Sequence, residues 1–168
     1  GSKNFATRAR PSESSLHLGL RLARGVRREK SGFFLRAETM FNVSTEAEAY
    51  ASYGWEKLHE MSHGEAFMWV VLNRFRAGGL YILDEPEAAL SPARQLALTA
   101  RIYELANQGS QFVIATHSPI LMACPGATVC ELTDAGVHPV SYRMTEHYAI
   151  TKRFLANPEA MLKAFFEG

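Results

Sequence analysis

Two runs of four apolar residues, "LYIL" at 80–83 and "FVIA" at 112–115, constrain the fold of this chain more than any other feature. Each is short and lacks polar alternation, the pattern of a strand buried on both faces. Between them lies a helix with both ends marked. Ser91 and Pro92 supply an N-cap and a first-turn proline, Leu98, Ile102 and Leu105 recur at helical spacing, and Gly109 stops it. Apolar strands alternating with helices predict a parallel sheet and an α/β architecture.

The rest of the chain extends this pattern. "SSLHLGLRLAR" at 14–24 places leucines at 16, 18, 20 and 22, a strand period in a composition that also suits a helix. "GFFLRAE" reads as a short strand ending at Glu38, and "STEAEAYASYGWEKLHE" as a helix. A further helix runs from near Gly64 to the Gly78-Gly79 pair. "SPILMA" opens another capped helix. "TVCEL", a turn at 134–136 and "VHPVSY" make a hairpin, and the tail forms two helices broken at Asn157-Pro158. One domain of 168 residues is long enough to bury a core. It divides into a β-rich segment at 1–44, a helical segment at 45–78 and a strand–helix segment at 79–168. Trp55, Trp69 and the paired phenylalanines are read as core.

A net charge of +1 announces neither a nucleic-acid nor a membrane partner. The longest apolar runs fall far short of a membrane span, and no signal-peptide pattern opens the sequence. Cys124 and Cys130 suit a reducing compartment and have no zinc spacing, so the expected location is cytoplasmic. Arg21, Arg24, Arg27, Arg28 and Lys30 form a basic cluster that reads as a solvated face, with phosphate or nucleic-acid contact as the alternative. His59 and His63 match no metal spacing.

Functional residues are expected at the carboxyl ends of the strands, where open α/β sheets bind ligands. Asp84 and Glu85 follow one apolar run directly and His117 follows the other by one residue. A carboxylate there holds a hydrated Mg²⁺ through hard oxygen ligands. Its neighbour orients or deprotonates water, and a histidine steadies phosphate charge. Acidic residues after strands are common in solvated loops, so Asp84 alone would carry no function. The adjacent pair, closed by Pro86, is much rarer. Ser62-x-x-Glu65 before an apolar helix is a capping box, and a capped helix N-terminus is also an anion site.

These strings resemble the ABC-type ATPases, a class of P-loop NTPases. "LYILDEP" is similar to their Walker B strand, which implies Asp84 on the magnesium side and Glu85 as the catalytic base. "EAALSP" looks like the D-loop, although the family usually has aspartate where this chain has Ser91. "VIATHSP" resembles the switch-histidine strand and gives His117 that role. "MSHGEAF" is similar to the signature, usually Leu-Ser-Gly-Gly-Gln; Ser62 and Gly64 match, while Met61, His63 and Glu65 are variants. Ser62 lies 22 positions before Asp84 and Glu85 lies 32 before His117, intervals that suit the family. The resemblance implies that Ser62, Gly64, Glu65 and Ser91 contact ATP across a head-to-tail homodimer. Glu38 falls where the family has its Q-loop glutamine, a second residue for Mg²⁺ or water. "SKNF", "GFFLRAE" and "RFLANPEAML" look like the soluble, stand-alone AAA-like members.

The phosphate-cradling loop Gly-x-x-x-x-Gly-Lys-Ser/Thr is missing from the sequence. "GVRREKS" at 25–31 lacks the second glycine and reads as a solvated turn. The expected fold is therefore the C-terminal portion of a P-loop NTPase domain of the ABC type, incomplete at its N-terminus, with a partly parallel sheet, flanking helices, a β-hairpin and terminal helices. The expected function is ATP binding and hydrolysis with Mg²⁺, by a homodimer or with a missing N-terminal segment. The alternatives are a truncated ATPase-like binding module without catalysis, and a subunit of a transporter or DNA-repair ATPase.

Overall fold

The computed structural model describes residues 29–37 and 61–167, together with positions 21, 23 and 25. Of the strand or helix expected at 14–24 only positions 21 and 23 are described, and the helix at 44–60, Arg24, Arg27, Arg28, Trp55, His59 and Glu38 lie outside the described residues.

Three strands, β1 (Ser31–Arg36), β2 (Gly79–Asp84) and β3 (Gln111–Ala115), form a parallel sheet in that order. Helix α1 (His63–Arg74) precedes β2, a 3-10 turn (Pro86–Ala89) and helix α2 (Pro92–Asn107) lead to β3, and a single turn, α3 (Pro119–Met122), follows. The antiparallel hairpin β4 (Cys130–Thr133) and β5 (Gly136–Pro139) comes next, then α4 (Glu146–Ala156) and α5 (Pro158–Phe166).

The caps fall where the residues require them. Ser91 accepts from the Arg94 amide at the start of α2, with Pro92 in the first turn. Gly109, at φ +85, closes the other end: its N–H bonds Ala106 O and that of Ser110 reaches Leu105 O, both at 3.0 Å. This is a Schellman closure, in which glycine takes the left-handed position. Asn157 ends α4 and caps α5 through the Ala160 amide.

Helices α1 and α2 cover one face of the sheet. Phe67, Val70, Val71 and Phe75 from α1 and its end, and Leu98, Ile102 and Leu105 from α2, bury against Leu35, Tyr81 and Leu83. Each such side chain contributes about 1.5–3 kcal/mol when fully buried. Phe75 stacks on Tyr81 at 4.1 Å, and the Tyr81 hydroxyl donates to Arg76 O at 2.7 Å. The opposite face shows a row set by register: Phe34 beside Ile82 beside Val113, all exposed among the described residues.

That row corrects the reading of paired phenylalanines as core. Phe33 packs against the core, but Phe34 points to the other face, as alternation along a strand demands. Phe165 and Phe166 are exposed on α5. Ser31 is likewise not in a solvated turn; it opens β1, and Lys30 donates its amide to Gly78 O.

Candidate active site

Sheet register assembles the site. Arg36 pairs with Asp84, and Asp84 pairs with Ala115, so the ends of all three strands reach one rim. Arg36 Nε lies 3.1 Å from Asp84 Oδ2. Glu85 continues the ladder for one bond, its amide donating to Ala115 O at 2.9 Å. The backbone then turns left-handed at Glu85 (φ 46°, ψ 52°), the sole non-glycine residue with positive φ among those described. That conformation is unfavourable for a side chain bearing Cβ, and such residues gather at functional sites.

Across the rim, His117 Nε2 stands 3.6 Å from Glu85 Oε1, with both side chains more than half exposed. The structure therefore brings together Asp84, Glu85 and His117, as expected from sequence. Besides Arg36, two further residues were not anticipated. Glu87, in the 3-10 turn, accepts from Thr116 Oγ1 at 2.7 Å and from the His117 amide at 2.6 Å. It ties the loop after β3 to the turn after β2. His147, from α4, places Nε2 3.1 Å from His117 Nδ1. The third acid of "DEPE" and the Thr145 cap just before His147 are local signals. Neither reveals the partner. Beside the rim a cleft of about 960 Å³ runs between β3 and β4, with Glu85, Thr116, His117 and His147 among its walls and Phe112, Ile114 and Leu132 further along.

The signature-like turn is fastened within the chain. Glu65 Oε2 accepts from the Ser62 amide at 2.8 Å and from Ser62 Oγ at 2.6 Å, and Arg94 reaches Glu65 Oε1 at 3.0 Å. The Ser62 hydrogen bonds, with a smaller contribution from Arg94, lower the Glu65 carboxyl below its ordinary range. This is the capping-box arrangement. Gly64 is buried, and a Cβ there would lie 2.7 Å from Ala89 O and from the Arg94 guanidinium. Glycine at this position lets α1 approach the turn after β2. Ser91 acts as the cap of α2.

The donor set also bears on magnesium. No group of three acidic, histidine or cysteine side chains suits a metal ion among the described residues. A Mg²⁺ held with a nucleotide needs less: one or two carboxylates, with water and phosphate oxygens completing the shell. Asp84, a partly exposed carboxylate at a strand end, fits that role. Burial pushes the Cys124 thiol up, away from the reactive thiolate form. No helix among the described residues is long and apolar enough to cross a membrane.

A family described as "AAA domain, putative AbiEii toxin, Type IV TA system" matches residues 26–123, more than half of the chain. No curated protein matches, and no solved structure matches. The matched stretch runs from before β1 through α3 and contains Asp84, Glu85, Glu87 and His117; the β4–β5 hairpin, α4 and α5 lie beyond it. With its parallel sheet and the acidic and histidine strand ends, the chain belongs to this family of AAA domains, whose fold is that of the P-loop NTPases.

Proposed function

We propose that this chain supplies the acid–base and phosphate-holding side of an ATP-hydrolysing site in a P-loop ATPase of the ABC type. The observation that carries this reading is the convergence of Glu85 and His117, 3.6 Å apart, beside Asp84 on one rim of the sheet. Glu85 takes the proton from the attacking water. His117 donates to a terminal phosphate oxygen as charge gathers there. Asp84 would hold Mg²⁺, with Glu38 as a second oxygen ligand, and the metal when bound offsets phosphate charge. In its absence Arg36 balances Asp84. Glu87 keeps His117 in reach of Glu85 by gripping its amide.

The working form on this reading is a head-to-tail homodimer with ATP between protomers, in a cytoplasmic setting. Ser62 and Glu65 at the N-terminus of α1 face the partner's nucleotide, Ser91 lies on the adjoining loop, and Gly64 serves the turn by packing. One observation favours a second reading, a binding module without turnover: the 168 residues contain no Gly-x-x-x-x-Gly-Lys-Ser/Thr loop.

Tight ATP binding needs the amides and lysine of that loop to compensate the triphosphate. Asp84, Glu85 and Glu87 present the opposite charge. Calorimetry of the 168-residue chain with Mg-ATP is therefore expected to show weak binding or none, with no measurable hydrolysis. A polypeptide carrying a phosphate loop ahead of this chain is expected to bind and hydrolyse it. Micromolar binding by the chain alone would place the phosphate site on residues other than these, Lys30 and Ser31 first. Binding without hydrolysis by the longer polypeptide would leave the binding module as the reading.

A further inference from the structure

His147 stands outside the stretch matched by the family, yet its ring meets the site. Its centroid is 5.2 Å from that of His117, with the planes inclined by 32°. One nitrogen of His117, Nδ1, faces His147 Nε2 at 3.1 Å; the other, Nε2, faces the Glu85 carboxylate at 3.6 Å.

A contact between two neutral imidazoles needs one hydrogen between the facing nitrogens, so two arrangements exist. In the first, His117 carries its proton on Nδ1 and donates to His147. Its Nε2 lone pair is then turned toward a carboxylate, and two electron-rich atoms oppose each other. In the second, His147 donates Nε2–H to His117 Nδ1, and His117 turns an N–H toward Glu85. Only the second is attractive on both sides of the His117 ring.

His147 itself is held in place. It is the second residue of α4, after Thr145 and Glu146. Thr145 is buried; its hydroxyl donates to Tyr142 O at 2.8 Å and accepts from the Tyr148 amide at 3.3 Å. Tyr142 and Tyr148 pack ring to ring at 4.8 Å. The first turn of α4 is thereby fixed, and the imidazole on it is presented to His117.

We infer that His147 is a positioning residue for His117: it fixes the Nε2–H tautomer and so aims a donor, not a lone pair, into the space beside Glu85. This rests on the proposed function, because a donor at that place suits a phosphate oxygen. A nitrogen bearing hydrogen cannot ligate a metal ion, so the same contact assigns His117 to the anion and leaves the cation to Asp84.

The test is imidazole ¹⁵N spectroscopy of the 168-residue chain at neutral pH. The expected result is a proton on Nε2 of both rings, with His117 Nδ1 shifted upfield as a hydrogen-bond acceptor. His147→Ala is expected to move the His117 Nδ1 resonance downfield, toward that of an unbonded ring nitrogen. His147→Gln, which keeps an N–H donor, is expected to return it part of the way. His147 is exposed, and both substitutions leave the Thr145 cap intact. A proton on His117 Nδ1 in the unsubstituted chain, or His117 resonances indifferent to His147→Ala, would overturn the inference. The outcome is separable from that of the proposed function. Spectra as expected, with Glu85→Gln leaving ATP turnover unchanged in a polypeptide that carries a phosphate loop ahead of this chain, would uphold the hydrogen bond and remove the hydrolytic reading. Slowed turnover with indifferent spectra would remove the role of His147 alone.

Discussion

Replacing Glu85 with glutamine, in a polypeptide that carries a phosphate loop ahead of this chain, is expected to leave ATP binding intact and to slow hydrolysis by on the order of a hundredfold or more. The amide matches the carboxylate in size, so the backbone turn and the bond from the residue 85 amide to Ala115 O persist. What disappears is the ability to accept a proton from water. Glu87 cannot replace it, because both of its oxygens are engaged by Thr116 and the His117 amide. Phosphate release at saturating ATP measures the rate, and calorimetry measures binding. An unchanged rate would exclude Glu85 as the base.

Phe75→Ala is expected to destabilise the fold by about 3–5 kcal/mol. The ring is fully buried just after α1 and touches an aromatic residue on each strand: Tyr81 at 4.1 Å, Phe33 at 5.8 Å and Phe112 at 6.3 Å. Removing it deletes a large apolar side chain and leaves a void that neighbours on three strands must collapse to fill. Urea unfolding should show a lower midpoint at an unchanged slope, since the surface exposed on unfolding is nearly the same. A midpoint within error of the parent would mean that the ring does not bind the strands together. The strand ends that carry Arg36, Asp84 and Thr116 depend on that alignment.

The features legible in sequence were those encoded over a few neighbouring residues. The runs at 80–83 and 112–115 became β2 and β3, Ser91 and Gly109 bounded α2, and Asn157-Pro158 separated α4 from α5. Asp84, Glu85 and His117 were legible because strand ends in a parallel sheet share a rim, whatever their separation in sequence. The remainder required register or tertiary approach. Arg36 meets Asp84 because Ser31 happens to pair with Gly79. Gly64 is required by the carbonyl of Ala89, distant in sequence. His147 reaches the site only because α4 folds back toward the loop after β3. Phe34 and Phe33 are the same residue type side by side, and only the pleat sends them to opposite faces.

If Glu85 has the role proposed for it, its left-handed backbone sets stability against chemistry in any attempt to engineer this domain. Glycine adopts that conformation without steric cost and asparagine with little, whereas glutamate stores strain of order 1 kcal/mol or more. A library screened for heat tolerance alone should therefore enrich glycine or asparagine at position 85, and each such survivor discards the carboxylate. Thermal melts of Glu85→Gly are expected to rise above the parent; a fall would show that the turn is relaxed. The residue proposed to activate water is also the one whose backbone the fold would most readily exchange.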